Sequence, residues 1–225
     1  LAPMDQDVWR DSTGVYDEAG MAWALHSVGP HLHPGSEEAT VALASRAAQY
    51  GFASGGRILE GLGIGAPARF IARRFSSTVV CVDRDQEMHR RLLASATAEE
   101  LALRCLPVRA LVELLPLRDG CMDAAWSQDA MCHMDKPVVV RECARVLRPG
   151  AVSAVGPLNS LLAIQSVKGG GPAVTPPDKA AWEASFIARF GAAVFESNIA
   201  RAESWRRLVV EGRGGFGMFV ARRRG

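Results

Sequence analysis

The chain has 225 residues, enough for one sizeable domain and too few for two comfortable ones. Apolar residues make up 48% and charged residues 22%, and 26 basic against 24 acidic side chains leave a formal charge of +2. That near-balance excludes a whole-chain footprint for nucleic acid, and no run approaches the roughly 18 apolar residues of a membrane span.

Five cysteines (Cys81, Cys105, Cys121, Cys132, Cys143) are an odd number without CxxC spacing. Cys81, Cys105 and Cys143 lie in apolar or periodic segments and read as small buried thiols, hence reduced. With no basic-then-apolar leader at the start, the expectation is a cytoplasmic protein. Arg222-Arg223-Arg224 reads as a solvated terminus.

In chain order, residues 1–50 look helical and loop-like and carry the cluster His31-Leu-His-Pro-Gly35. Arg57-Ile-Leu-Glu60 reads as a buried strand. Pro67 to Phe75 follows as a helix, with Pro67 in the first turn, where its missing N–H has no intrahelical partner. Thr78-Val-Val-Cys-Val82 is a second, β-branched strand. From Asp85 to Ala98, Met88, Leu92 and Ala96 recur at helical spacing. Cys105 to Val108 is a weaker third strand broken by Pro107. Met122 to Trp126 is a fourth, and Lys136 to Leu147 a helix ended by Arg148-Pro-Gly150. Ala151 to Val155 is a fifth strand.

Beyond it, Gly169-Gly-Gly-Pro172 and Pro176-Pro177 mark residues 157–178 as a loop over the active-site face. Asp178 is placed to cap a helix running to about Phe190. Arg206 to Ala221 reads as two strands around a Gly-rich turn, and no internal repeat is present. The strand–helix alternation predicts an α/β fold, a mainly parallel doubly wound sheet with helices on both faces.

Gly61, Gly63 and Gly65 follow the first strand and precede a helix. A loop there turns sharply and lets a ligand approach the backbone, beside a helix N-terminus with free N–H groups. Gly61-Leu-Gly-Ile-Gly-Ala66 also satisfies the dinucleotide fingerprint G-x-G-x-x-A. Asp83, at the end of the second strand, suits ribose hydroxyls in either case, because an ionised acceptor makes short, strong hydrogen bonds to a diol. These residues point to a nucleoside-containing cofactor and leave NAD and S-adenosylmethionine both open.

Four later segments carry a resemblance. Val82-Asp-Arg-Asp-Gln-Glu-Met88, Leu114 to Trp126 (LPLRDGCMDAAW within it), Trp126-Ser-Gln-Asp-Ala-Met-Cys-His133 and Cys143-Ala-Arg-Val-Leu-Arg-Pro-Gly150 resemble, in family order, motifs of the class I S-adenosylmethionine-dependent methyltransferases. Val15-Tyr-Asp-Glu-Ala and Leu32-His-Pro-Gly35 are similar to segments of the small-molecule branch, which includes sarcosine/dimethylglycine and natural-product sugar O-methyltransferases.

The resemblance implies a Rossmann-like, seven-stranded sheet with a terminal antiparallel strand. It implies one methyltransferase domain over 1–225: an N-terminal helical lid (1–50), a cofactor-binding core (51–156), a substrate-side lid (157–205) and terminal strands (206–225). It implies S-adenosylmethionine as cofactor, S-adenosylhomocysteine as product and a small-molecule acceptor methylated on oxygen or nitrogen, with no nucleic acid or membrane partner. Oligomeric state has no readable signal.

Carried over residue by residue, Glu60, Gly61, Gly63 and Gly65 face the cofactor's methionine end. Asp83 and the adjoining Arg84 meet the ribose, Met88 lies near the adenine, and Ser127 and Gln128 border the sulfonium. His133 is the candidate general base, because imidazole titrates near neutrality and takes a proton from a hydroxyl or ammonium; the plainer reading is a loop-capping histidine. Asp129 orients His133 or binds a substrate hydroxyl, or is a surface carboxylate. Tyr16 covers the cofactor, and His31 and His33 contact substrate or form a lid, or pack structurally. With His26 they lack zinc-like Cys/His spacing, and no metal is expected. Trp23, Trp182 and Trp205 are read as packing residues, with a pocket wall as the alternative.

Three departures from the family stand out. Glu60 abuts Gly61 directly, so either a residue is missing or Leu59 takes the acid's position and Glu60 faces elsewhere. The third-strand acid is absent, with Arg109 or Ala110 in its place and Glu113 as the nearest carboxylate. The acid after the fifth strand is replaced in Ala154-Val-Gly-Pro157. These departures motivate a second reading, a methyltransferase fold catalysing a non-methylating step such as cyclisation. An NAD-dependent oxidoreductase and a scaffolding protein are the remaining alternatives.

Overall fold

The computed structural model describes residues 18–20, 22, 36–52, 54–61, 65–128, 130–131, 134–160, 179–211 and 215–224. The strands are β1 (Arg57–Gly61), β2 (Thr78–Asp83), β3 (Cys105–Arg109), β4 (Met122–Ser127), β5 (Leu147–Ser160) and β6 (Gly215–Arg222). Around them lie α1 (Ser36–Gln49), α2 (Ala66–Arg74), α3 (Gln86–Ala98), α4 (Lys136–Val146), α5 (Lys179–Phe190) and α6 (Ala192–Val210).

The sheet order is β3-β2-β1-β4-β5-β6, with β1 to β5 parallel and β6 antiparallel to β5. The α/β Rossmann-like architecture is therefore as expected. Chain order reverses between β1 and β4, which opens a crevice beyond the carboxyl ends of the strands, the usual ligand position in such sheets.

Side-chain alternation divides the core in two. On one face Ile58, Cys81, Ala124, Trp126 and Ala154 join Leu43 of α1, Ile71 of α2 and Leu92 of α3. On the other, Leu59, Val80, Val82 and Ala125 meet Val139 and Val146 of α4. Trp126 is held edge-on to Phe52 with ring centroids 5.6 Å apart, and Phe52 packs on Phe75 at 5.1 Å. Aromatic pairs in these geometries add to the burial of their apolar area.

The helix ends follow local chemistry. Pro67 occupies the first turn of α2, and Gly65 before it is left-handed, with φ of 78°. The Asp85 side chain caps α3 by accepting from the Glu87 N–H at 2.8 Å, and Asp135 caps α4 through the Val138 N–H at 3.2 Å. Arg145 of α4 pins the preceding loop, donating to Glu142, to Asp119 and to the Leu115 and Leu117 carbonyls.

Three expectations change. Arg206 to Val210 is not a strand but the last turns of α6, so the described residues form six strands rather than seven and Gly215–Arg222 alone returns to the sheet. Arg148-Pro-Gly150 does not separate α4 from the fifth strand: β5 begins at Leu147, directly after the helix. It runs on to Ser160, past a register shift between Val155 and Leu158, and so takes in the start of the expected loop. Pro107 does not interrupt β3, because β3 is an edge strand where a missing N–H costs no ladder bond. Arg222 is exposed, as expected, and also closes β6, donating to the carbonyls of Tyr50 and Gly150.

Trp182 packs with Phe186 and Phe195 between α5 and α6, the packing role expected of it. Trp205 has no described side chain, and Trp23 and Asp178 lie outside the described residues. The four described cysteines are all unpaired.

Candidate functional site

Three strand ends converge at the crevice. Gly61 closes β1 opposite Val82 of β2 and Ser127 of β4. One residue earlier, Glu60 lies opposite Cys81 and Trp126. Strand alternation sends Leu59 to the α4 side and Glu60 to the Ile58 side, under α2 and α3. Of the two readings of the altered first strand, Leu59 is thus a core residue of the α4 face, and the carboxylate is carried by Glu60 into the opposite layer.

Glu60 is fully buried, and neither carboxylate oxygen has a hydrogen-bond partner. Burial, then the nearby charges of Asp83 and Cys105, hold its carboxyl well above the usual carboxylate range. Close by, the Gln128 carboxamide is buried; its oxygen accepts from the Trp126 indole N–H at 2.9 Å, and its Nε2 has no partner. Buried polar groups are normally satisfied, so two with orphaned atoms at the carboxyl ends of adjacent strands mark a place prepared for a polar ligand.

Asp83 ends β2, and one carboxylate oxygen accepts from the Asp85 N–H at 2.8 Å. Burial raises its carboxyl to about 6, against the opposing pull of that backbone bond. Its register partner is Arg109, which donates from Nε to the Arg84 carbonyl at 3.1 Å, and the Ala110 N–H reaches the Asp83 carbonyl. Arg109 and Ala110 therefore do stand at the end of β3 beside Asp83.

Gly65 sits at the entry to α2, and Gly63 lies outside the described residues. Met88 is buried in the core beneath α3 with Leu92 and Ala96. Ser127 is half-buried on the α4 face and, with Gly61, lines a cavity of about 230 Å³. The cavity walls are mostly apolar, with Leu59, Val82, Ala125, Met131, Val139 and Cys143 among them. Asp129 and His133 fall in the connection from β4 to α4 but lie outside the described residues, as do Tyr16, His26, His31 and His33. No group of three or more metal-ligating side chains occurs among the described residues. No described helix is long and apolar enough to cross a membrane.

His89 carries no motif in the sequence. It is buried on α3 beside the capping Asp85, its Nε2 has no partner, and burial and then the Arg109 charge lower its pKa. Its position immediately after Met88, on the flank of the apolar stripe, was the available signal.

Residues 60–155 match a family model described as a methyltransferase domain. Over 107 residues, 46% of this chain, the sequence is 35% identical to the glycine/sarcosine/dimethylglycine N-methyltransferase of Actinopolyspora halophila; the match spans only 19% of that relative's length. Among solved structures, a Galdieria sulphuraria protein assigned as a sarcosine dimethylglycine methyltransferase superposes with a TM-score of 0.74 at 23% identity, covering 92% of this chain and 98% of that one. The [4+2]-cyclase SpnF shares the fold with a TM-score of 0.64 at 21% identity, covering 82% and 79%. The motifs and these matches agree: residues 60–155 resemble a methyltransferase domain, and the chain shares the fold of these solved structures.

The residues present fit that family's cofactor. An acidic group without a cation of its own (Glu60), an amide donor without an acceptor (Gln128) and a carboxylate at a strand end (Asp83) complement an ammonium, a carboxylate and a ribose diol.

Proposed function

We propose that the protein transfers the methyl group of S-adenosylmethionine to an oxygen or nitrogen of a small-molecule acceptor. The observation that carries this reading is the pair of orphaned buried groups, Glu60 and Gln128, beside Asp83 at the carboxyl ends of β1, β4 and β2. The cofactor, when bound, supplies an electrophilic methyl on a positively charged sulfur.

Asp83 accepts the two ribose hydroxyls, with Arg84 adjoining, and Glu60 takes the ammonium. Gly61, Gly63 and Gly65 admit the ligand close to the backbone. Ser127 and Gln128 border the reacting sulfur, and Met88 supports the adenine end from beneath. The apolar cavity walls beside Gly61 and Ser127 suit an apolar portion of the acceptor. His133, on the β4–α4 connection, removes the acceptor's proton as the new bond to carbon forms, and Asp129 orients it. Tyr16, His31 and His33 cover the site from the N-terminal lid, and residues 157–205 close the acceptor side.

Transfer of labelled methyl from S-adenosylmethionine to acceptors presented as a metabolite panel tests the reaction. His133→Ala should bind the cofactor as the parent does and turn over at least 100-fold more slowly, the usual scale of general-base loss. Loss of cofactor binding in that variant would remove its assignment as the base.

The second reading is a non-methylating step such as cyclisation. The altered first-strand motif and the fold shared with SpnF favour it. A product with the methyl count of its substrate, formed without consumption of S-adenosylmethionine, would establish it in place of the first.

A further inference from the structure

Glu60 is a carboxyl group in an environment that offers an anion nothing. It is fully buried, and neither oxygen receives a hydrogen bond. Among the described residues, the titratable side chains acting on it are acids: Asp83 on β2 and Cys105 on β3, with Cys81 of β2 directly opposite in register. On its other side β4 contributes Trp126, and Gln128 follows; neither ionises. The helices over this face add Ile71, Met88 and Leu92 to the same cluster. On α2, Arg69 and Arg73 pair with Glu99, and Arg74 lies over the Phe75 ring. A lone carboxylate so placed neutralises itself by keeping its proton.

Resting on the methyltransferase reading, we infer that Glu60 is the neutral acid in the ligand-free protein and ionises only when the ammonium of the cofactor's amino-acid end binds beside it, so that cofactor binding expels one proton. The incoming positive charge stabilises the carboxylate, the O–H bond of Glu60 breaks, and the proton leaves to solvent. The unpartnered Gln128 Nε2 remains as a neutral donor for the carboxylate of the same amino-acid end. Glu60 thereby selects for a ligand that brings its own cation, and the folded protein does not maintain a buried charge while it waits.

Isothermal titration calorimetry tests this. Cofactor heats are measured at pH 7.5 in phosphate and in Tris, whose ionisation enthalpies differ, which counts the protons exchanged. At that pH Asp83, raised only to about 6, is already ionised and adds little. S-adenosylmethionine should release close to one proton more from the parent protein than from Glu60→Gln. 5′-Methylthioadenosine, which lacks the amino-acid end, should bind the parent with no such release. Affinity for S-adenosylmethionine should rise about tenfold per pH unit in the parent relative to Glu60→Gln, from pH 6.5 to 7.5.

A ligand-free readout stands beside it. A carboxyl raised in the folded state binds more protons folded than unfolded, so its contribution to stability falls as pH rises from its unfolded value toward its folded one. The parent should lose stability over pH 5–8 relative to Glu60→Gln. Equal proton release in parent and variant, or matching pH–stability profiles, overturns the inference and leaves the methyltransferase reading intact. Failure of the parent to bind S-adenosylmethionine at all overturns both.

Discussion

Asp83 shows how one side chain can be named from sequence and still depend on its surroundings. An aspartate after a β-branched strand is legible in Thr78-Val-Val-Cys-Val-Asp83, and its position at the crevice follows from strand order. Its titration does not. Burial lifts it to about 6, so this carboxyl is partly protonated just below neutrality. Cofactor affinity should therefore weaken as pH falls through about 6, because a protonated carboxyl loses the acceptor strength of the anion. Asp83→Ala should weaken S-adenosylmethionine binding at least tenfold at pH 7.5 by calorimetry, since hydrogen bonds to charged groups contribute about 1.5–3 kcal/mol. Unchanged affinity would detach Asp83 from the cofactor. Glu60 is the complementary case: its residue type was legible, but the face it occupies and its isolation were not, because both depend on which strands lie beside β1.

At the scale of elements, the turn from β1 into α2 is the most constrained local feature. Gly65 adopts φ of 78° at the start of α2, and a Cβ there would lie 2.3 Å from Leu92 Cδ1 and 3.1 Å from Leu92 Cβ. Backbone conformation and packing both demand glycine. Gly65→Ala should destabilise the protein by about 2–4 kcal/mol, combining the left-handed penalty with overpacking, and appear as a lower urea midpoint. The same variant should bind cofactor less tightly, since α2 opens at the crevice. α2 and α3 were readable to within about a residue, because Pro67 in a first turn and the spacing of Met88, Leu92 and Ala96 are local signals. The C-terminal helix was misread over Arg206 to Val210: Leu208-Val-Val210 is apolar and β-branched, and helical continuation from Ala192 overrode that preference.

For the molecule as a whole, the crevice exists only because β1 and β4 lie side by side although two strand–helix units separate them in sequence. A ligand held there contacts β1, β2 and β4 together and stabilises the native state by mass action. S-adenosylmethionine at about 100 times its dissociation constant should raise the melting temperature by about 5–10 °C, and NAD at the same concentration should not. A shift with NAD alone would revive the dinucleotide reading of the glycine segment.

The sequence by itself determined the strand–helix alternation, the glycine turn, the acid at the end of the second strand and the resemblance to methyltransferase domains, because each is written in neighbouring residues whose chemistry acts over a few positions. Only the tertiary structure decided that Pro107 is harmless on an edge strand, that six described strands make the sheet, and that the Glu60 carboxyl oxygens and the Gln128 Nε2 are buried without partners. Those facts depend on which segments pack side by side, and burial, register and dielectric environment arise only when distant segments meet.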